Sequence, residues 1–167
     1  MKPVAKKATP AAIAVLRQAT ALQPKRKRAS DGLLPSAAHI KQNPDSDHNT
    51  GYGVDLSHDP ANGIDCADIF SRLKSDTRVK YLIFNGKIWS KDRSKEGDRK
   101  YTGSNKHLHH IHISINDNSG DDVRPWFPWM AQPKVVNLIK ASVTPVAVKK
   151  AYPTEDKSKC CKHCPLK

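Results

Sequence analysis

The chain has 167 residues, enough for one ordinary domain with extensions, and its formal net charge is +13. The charge is uneven: residues 1–28 carry +8 and residues 132–167 carry +6, whereas the middle, residues 29–131, carries −1. The sequence contains no run of 18 apolar residues, so no transmembrane helix is expected, and the weakly charged middle argues against a duplex-binding face.

The composition predicts a flexible basic leader at residues 1–8, a folded domain at residues 9–131 and a basic tail at residues 132–167. Basic arms suit polyanions such as nucleic acid, anionic lipid or an acidic cell-wall polymer, but a solvated, disordered tail explains them equally well. The apolar stretch after the leader is short and is followed by Arg17, so no ordinary signal peptide is expected.

The first predicted element is a helix with Thr9 as N-cap and Pro10 at the first helical position. Apolar residues then recur at helical spacing up to Leu22. The basic run at residues 25–28 is interpreted as a solvated turn, with a nuclear-import-like or polyanion-binding patch as the alternative. A short helical turn is expected around residues 36–41.

Residues 53–57 alternate and predict a strand with Val54 and Leu56 in the core and Asp55 on the opposite face. Asp65 is the expected N-cap of an amphipathic helix. Cys66 in that helix is interpreted as a small buried hydrophobe.

The clearest predicted strand is residues 79–84, followed by the preferred two-residue hairpin turn, Asn85-Gly86, and a return strand at residues 87–89. Residues 90–100 are predicted to form a charged, mobile loop. The aromatic segment at residues 124–129 is expected to pack against the domain.

Four of the eight histidines fall within residues 107–112. From residue 110 onward the sequence alternates, which predicts a half-buried strand with isoleucine side chains in the core and His110 and His112 facing outward. Two histidines on one strand face are close enough for one to bind a metal while the other acts on what the metal binds.

A second group of polar residues supplies further ligand candidates. His48 is predicted in a loop and Asp55 on the following strand, and with His112 they make a His2Asp set. Zinc hydrolases use three such ligands and leave a fourth position for water. Gly51 and Gly53 would let the backbone turn closely between the first two ligands. Together the elements predict an α+β fold, with a small antiparallel sheet of about four strands and two or three helices.

The pattern Ser-x-His-x-x-Gly-x-x-x-Asp over residues 46–55, followed by His-x-His at residues 110–112, resembles the D-alanyl-D-alanine metallopeptidases. These zinc carboxypeptidases and endopeptidases cut peptidoglycan stem peptides, and they share a fold with lysostaphin-type peptidases and the hedgehog signalling domain. The runs at residues 55–60, 78–85 and 101–115 resemble a bacterial and bacteriophage subgroup. The resemblance covers about residues 10–116.

The resemblance implies that His48, Asp55 and His112 hold Zn2+. It also implies hydrolysis of peptidoglycan peptides by an endolysin or a wall-degrading component of a phage particle, located in the virion or in the host periplasm and cell wall. Other phage structural proteins are possible partners through the basic tails, and nucleic acid is not an expected partner. The alternative is a catalytically inactive zinc-containing module of a phage particle.

At the position where the family usually carries its general base, this chain departs from the family pattern. Many members carry Asp or Glu three residues before the last zinc histidine, where this chain has His109. A murein-endopeptidase branch instead has His-x-x-His-x-His, and His107, His110 and His112 match that spacing. His110 is therefore assigned as base or transition-state stabiliser, with His107 as the second candidate.

The C-terminal tail contains a cluster of metal-ligand types: Cys160, Cys161, His163 and Cys164. Cys-x-x-Cys is half of a structural zinc site, and its missing ligands would come from elsewhere, such as another chain. Free thiols and an intermolecular disulfide are the alternatives.

Overall fold

The computed structural model describes residues 4–131. They form an α+β fold with three α-helices and a five-stranded antiparallel sheet, which confirms the predicted class and adds one short strand. Within this part of the chain, no helix is long and apolar enough to cross a membrane. The predicted cysteine cluster at residues 160–164 lies outside the described residues.

The helices begin where the sequence carries N-caps. They are α1 (Pro10–Leu22), α2 (Ala37–Gln42) and α3 (Cys66–Leu73). Each is preceded by a residue whose side-chain oxygen accepts a hydrogen bond from a backbone N–H of the first turn, namely Thr9, Ser36 and Asp65. Local chemistry therefore sets where all three helices begin.

The sheet places the histidine strand at its centre. Its strands are β1 (Gly53–Ser57), β2 (Val79–Phe84), β3 (Lys87–Ser90), β4 (Arg99–Lys100) and β5 (His110–Ile115), in the order β1-β5-β2-β3-β4. Asn85 and Gly86 both have positive φ, 47° and 72°, as a tight hairpin turn requires. Strand β4 pairs with β3 and lies at the end of the range predicted as a loop.

One face of the sheet forms the hydrophobic core. The three isoleucines of β5 are fully buried there with Val54 and Leu56 of β1, and α1 and α3 cover this face. Burying each such side chain contributes roughly 1.5–3 kcal/mol. Cys66 is buried as predicted, and burial raises the pKa of its thiol to about 12. Trp126 and Phe127 complete the core, which confirms the predicted packing role of the aromatic segment.

The opposite face of β5 is also covered, so the prediction of a half-buried strand with outward-facing histidines is wrong in one respect. His112 is 4% exposed and Ser114 is fully buried. The alternation correctly assigns the two faces, but the polar face is packed beneath the turn that carries Asp47 and His48. This turn forms one wall of a polar site.

A register shift in β2 between Val79 and Tyr81 brings an additional side chain to this face. A bulge of this kind re-aims side chains next to it. Lys80 donates to the carboxylate of Asp47 at 3.0 Å, and Tyr81 stacks on the ring of His112. Two consecutive residues of β2 therefore serve the same polar face.

Ala5 and Arg26 lie in segments that the sequence predicts to be flexible or solvated, yet both contact the folded domain. The backbone N–H of Ala5 donates to the carbonyl of Asn49 at 2.7 Å. Arg26 is only 4% exposed, and its guanidinium binds both carboxylate oxygens of Asp31, at 2.9 and 2.7 Å. The interpretation of residues 25–28 as a solvated turn is therefore wrong for Arg26.

Candidate metal centre

Three elements bring the predicted ligands together. His48 lies in a 3-10 turn (Asp47–Thr50), Asp55 lies in the middle of β1, and His112 lies in β5. Asp55 and His112 are direct cross-strand partners, so the sheet register alone makes them neighbours. The short segment between the turn and β1 then returns His48 to the same point.

The three side chains converge on one point through one atom each. His112 Nδ1 lies 2.9 Å from Asp55 Oδ1, His48 Nε2 lies 3.2 Å from the same oxygen, and the two nitrogens are 3.1 Å apart. Ligands of a tetrahedral zinc ion, each about 2.0–2.1 Å from the metal, lie about 3.3 Å from one another. The three atoms are therefore already near the spacing that a small tetrahedral ion needs.

The tautomer of His48 is set by the chain itself. Its Nδ1 lies 2.9 Å from the carbonyl oxygen of Leu33, so in the neutral ring Nδ1 carries the hydrogen and donates it. Nε2 then presents a lone pair to Asp55 and His112. This arrangement, an imidazole oriented by a backbone carbonyl, is the usual support of a metal-binding histidine.

The donor set suits a metal ion. His48, Asp55 and His112 form a group that could hold one. A lone pair on His48 Nε2 facing a carboxylate oxygen requires either a proton or a metal cation between the acceptors. Two imidazole nitrogens and a carboxylate oxygen are ligands typical of zinc and of other first-row divalent metals.

The pKa values of Asp55 and His48 reflect the same contacts. Burial alone would raise the pKa of Asp55, but hydrogen bonds and positive charge from His112 and His48 outweigh it and hold that pKa far below its usual range. Burial alone would lower the pKa of His48, but the hydrogen bond and charge of Asp55 raise it. A metal ion must therefore displace a proton held near His48.

Two further histidines face the same carboxylate from its other side. His110 Nε2 lies 3.7 Å from Asp55 Oδ2, and the rings of His107 and His110 are 4.8 Å apart. His107 Nδ1 lies 2.8 Å from the carbonyl oxygen of Asn105, which leaves Nε2 as its unprotonated nitrogen. Burial lowers the pKa of His110, and it lowers the pKa of His107 to about 4. Both rings are therefore neutral bases at pH 7.

The remaining predicted residues separate clearly. His109 is exposed, precedes β5 and does not line the cleft. Gly53 has the close approach expected of it, because a Cβ there would lie 2.7 Å from the backbone nitrogen of His48. Gly51 has φ 78°, a conformation that favours glycine.

Three residues that contact the site were not predicted from the sequence. His39 lines the cleft, with Nε2 3.1 Å from the Ser46 hydroxyl and its ring edge-on to His48. Gly32 forms an isolated bridge with Asp55, and Leu33 orients His48. These residues carry no local signal, because backbone carbonyls and a single bridge leave no pattern in the sequence.

The centre lies in an open polar cleft of about 600 Å3. Besides the three converging residues, its walls include His39, Tyr81, Tyr101, Asn105 and His107. The polar lining and open mouth suit a polar chain rather than a small apolar molecule.

A model of the family described as VldE, C-terminal domain, matches residues 5–112. The chain belongs to this family. No curated protein and no solved structure matches the chain. The region matched to the VldE C-terminal domain runs from the segment bonded to the 3-10 turn to His112, and it includes all three converging residues and the cleft histidines.

Proposed function

We propose that this protein hydrolyses peptide bonds in peptidoglycan stem peptides with a zinc ion held by His48, Asp55 and His112. The observation that carries the proposal is the convergence of their three ligand atoms within 3.2 Å beside neutral histidines in an open cleft. The similarity of the two ligand motifs to D-alanyl-D-alanine metallopeptidases supplies the substrate class. The protein would then be a zinc metallopeptidase of the carboxypeptidase or endopeptidase type.

The chemistry divides between the ion and the histidines. Bound zinc would polarise the scissile carbonyl and lower the pKa of a bound water to about 7. His110 shares the strand face of His112 and lines the same cleft, with its Nε2 3.7 Å from Asp55 Oδ2, so it is the proposed acceptor of the water proton. Because burial keeps its pKa below the ordinary value, the ring is unprotonated at neutral pH and can pass the proton to the leaving amine.

His107 is the proposed second participant. It is 8% exposed, and the carbonyl of Asn105 orients its ring against His110. With its pKa at about 4, it stays neutral during turnover and would serve as a hydrogen-bond partner more readily than as an acid. We therefore keep His110 as the base and His107 as its assistant.

The test is peptidoglycan zymography combined with metal analysis. Wild-type protein should clear the substrate, and a chelator should abolish clearing. His112→Ala should lose both zinc and clearing, whereas His110→Ala should keep one zinc per chain and lose turnover. His109→Ala is the matched control, because that exposed histidine lies outside the cleft and should leave both readouts unchanged. Mass spectrometry of the digest would name the bond that is cut.

A catalytically inactive zinc-containing module of a phage particle is the second candidate. The observation that favours it is the absence of the expected carboxylate three residues before His112, where the chain has the exposed His109, which does not line the cleft. Stoichiometric zinc binding without clearing of several wall chemotypes would support this candidate and refute the peptidase. The peptidase proposal places the protein in a virion or at the host cell wall, as an endolysin or a particle component.

A further inference from the structure

A second hollow of about 700 Å3 lies on the sheet beside the metal cleft, and we call it the β2–β4 groove. Tyr81 lines both hollows, and its ring stacks on His112 with the centroids 5.4 Å apart. The groove has a strongly basic lining that comprises Lys80, Lys91, Arg93 and Arg99, with Asp92 as the one acid among its lining residues. A chain held in the cleft can therefore continue into a positively charged groove.

Two of the four cations are already neutralised. Lys80 pairs with Asp47 at 3.0 Å and Arg93 pairs with Glu96 at 2.6 Å. Lys91 and Arg99 instead donate to uncharged oxygens, the carbonyl of Thr77 and the hydroxyl of Ser90. Their two charges exceed the single charge of Asp92, so the lining retains a positive surplus.

Arg99 also has unused hydrogen-bonding capacity. Its Nε is buried and has no hydrogen-bond partner among the described residues, while its Nη2 holds Ser90 Oγ at 2.6 Å. Buried N–H groups in native proteins are nearly always paired, so an acceptor is expected here. The planar guanidinium matches a carboxylate, which can accept two parallel hydrogen bonds.

We propose that the β2–β4 groove binds a carboxylate of an acidic peptide whose scissile bond lies in the metal cleft. This inference rests on the proposed function and specifies its substrate as an anionic peptide. The net surplus of one positive charge suits a single carboxylate. A nucleic acid duplex would need a longer row of uncompensated cations, because each phosphate contact requires its own charge.

The test measures binding without catalysis. The probes are a soluble acidic tetrapeptide from peptidoglycan and the same peptide with its carboxylates amidated. Full-length protein, freed of metal by a chelator, is titrated with each probe at fixed salt. The wild type should bind the acidic peptide about tenfold more tightly than the amidated one, the effect of one charge-assisted contact.

Variants of the groove residues test where the preference for the acidic peptide arises. Arg99→Gln combined with Lys91→Gln should remove it, and Arg99→Lys should retain part of it because the charge remains without the planar fork. Lys95→Gln, in the same loop but outside the lining, should retain the full preference. Because Arg99 is partly buried, circular dichroism checks the fold, and the exposed Lys91→Gln is measured alone as a second test.

The inference is overturned if the wild type binds both peptides equally, or if Arg99→Gln and Lys91→Gln leave the preference intact. These results do not depend on hydrolysis. Clearing of peptidoglycan without a preference for the acidic peptide would support the proposed function and refute carboxylate binding by the β2–β4 groove. A carboxylate preference without clearing would keep the groove as an acidic-peptide site and refute the peptidase.

Discussion

Gly53→Ala is expected to damage the metal centre without changing any ligand. A Cβ at residue 53 would lie 2.7 Å from the backbone nitrogen of His48 and 3.1 Å from its Cγ. Ordinary contact begins near 3.4 Å, so the turn that carries His48 must move by about 0.7 Å. Neither neighbouring atom is the end of a flexible side chain. The variant should lose roughly 1–3 kcal/mol of stability from overpacking.

The same movement should weaken metal binding about 10- to 100-fold, the range seen when the support of a metal ligand is disturbed. Competition with a chromophoric chelator measures the affinity, and chemical denaturation of the metal-free protein measures stability. Gly120→Ala is the control: its Cβ would also be tight, at 3.0 Å, but against the Tyr52 side chain, away from the centre. It should leave metal affinity unchanged. Wild-type zinc affinity in Gly53→Ala would refute the argument that close packing positions His48.

Three further predictions concern pH, metal removal and the neighbouring carboxylate. Asp55 raises the pKa of His48, so zinc affinity should fall about tenfold per pH unit below that raised pKa, because zinc must displace the proton. Chelator competition between pH 8 and 5.5 measures this dependence. A zinc affinity that does not change over this pH range would contradict proton displacement. At a free zinc concentration about 1,000 times the Kd, zinc binding should raise the free energy of unfolding by about 4 kcal/mol and Tm by roughly 10 °C. A chelator should reverse this shift, and His112→Ala should not show it. Asp47→Asn should cost about 1–3 kcal/mol at pH 7, because the buried carboxylate loses its ion pair with the partly exposed Lys80. The pKa of Asp47 is lowered in the folded state, so the difference from wild type in denaturation curves should be full above the unfolded value of about 3.9 and shrink progressively as the pH falls below it towards the lowered pKa.

Much of the fold is encoded locally. The N-cap and proline at residues 9 and 10 predict the start of α1, and period-two patterns predict β1 and the polar and apolar phases of β5. The tight turn at residues 85–86 predicts the β2–β3 hairpin. These signals involve residues that are close in sequence, so they can be recognised without knowledge of the tertiary structure. The strand order does not follow from them, because β5 enters between β1 and β2 only through long-range pairing.

The convergence of His48, Asp55 and His112 could be predicted from the sequence, but the surroundings of these residues could not. His48, Asp55 and His112 were recognisable by residue type, phase and family resemblance. Nothing in the sequence indicates that the carbonyl of Leu33 orients His48, or that a bulge in β2 brings Lys80 and Tyr81 to the polar face. Those features depend on how loops and strands pack, so only the structure reveals them.

The two carboxylates at the polar face of the sheet, Asp47 and Asp55, differ in the cations beside them. This difference explains why Asp47 supports the fold whereas Asp55 suits a metal. Asp47 is buried, and Lys80 supplies a full positive charge beside it. Asp55 is partly buried in the same face, with its side chain 21% exposed, and its ion-pair partners among the described residues are all imidazoles. An ionised carboxylate shielded from water needs a compensating cation, and neutral imidazoles supply none. Asp47 has its cation within the chain, whereas Asp55 requires either a protonated histidine or a bound metal, and raising the pH favours the metal.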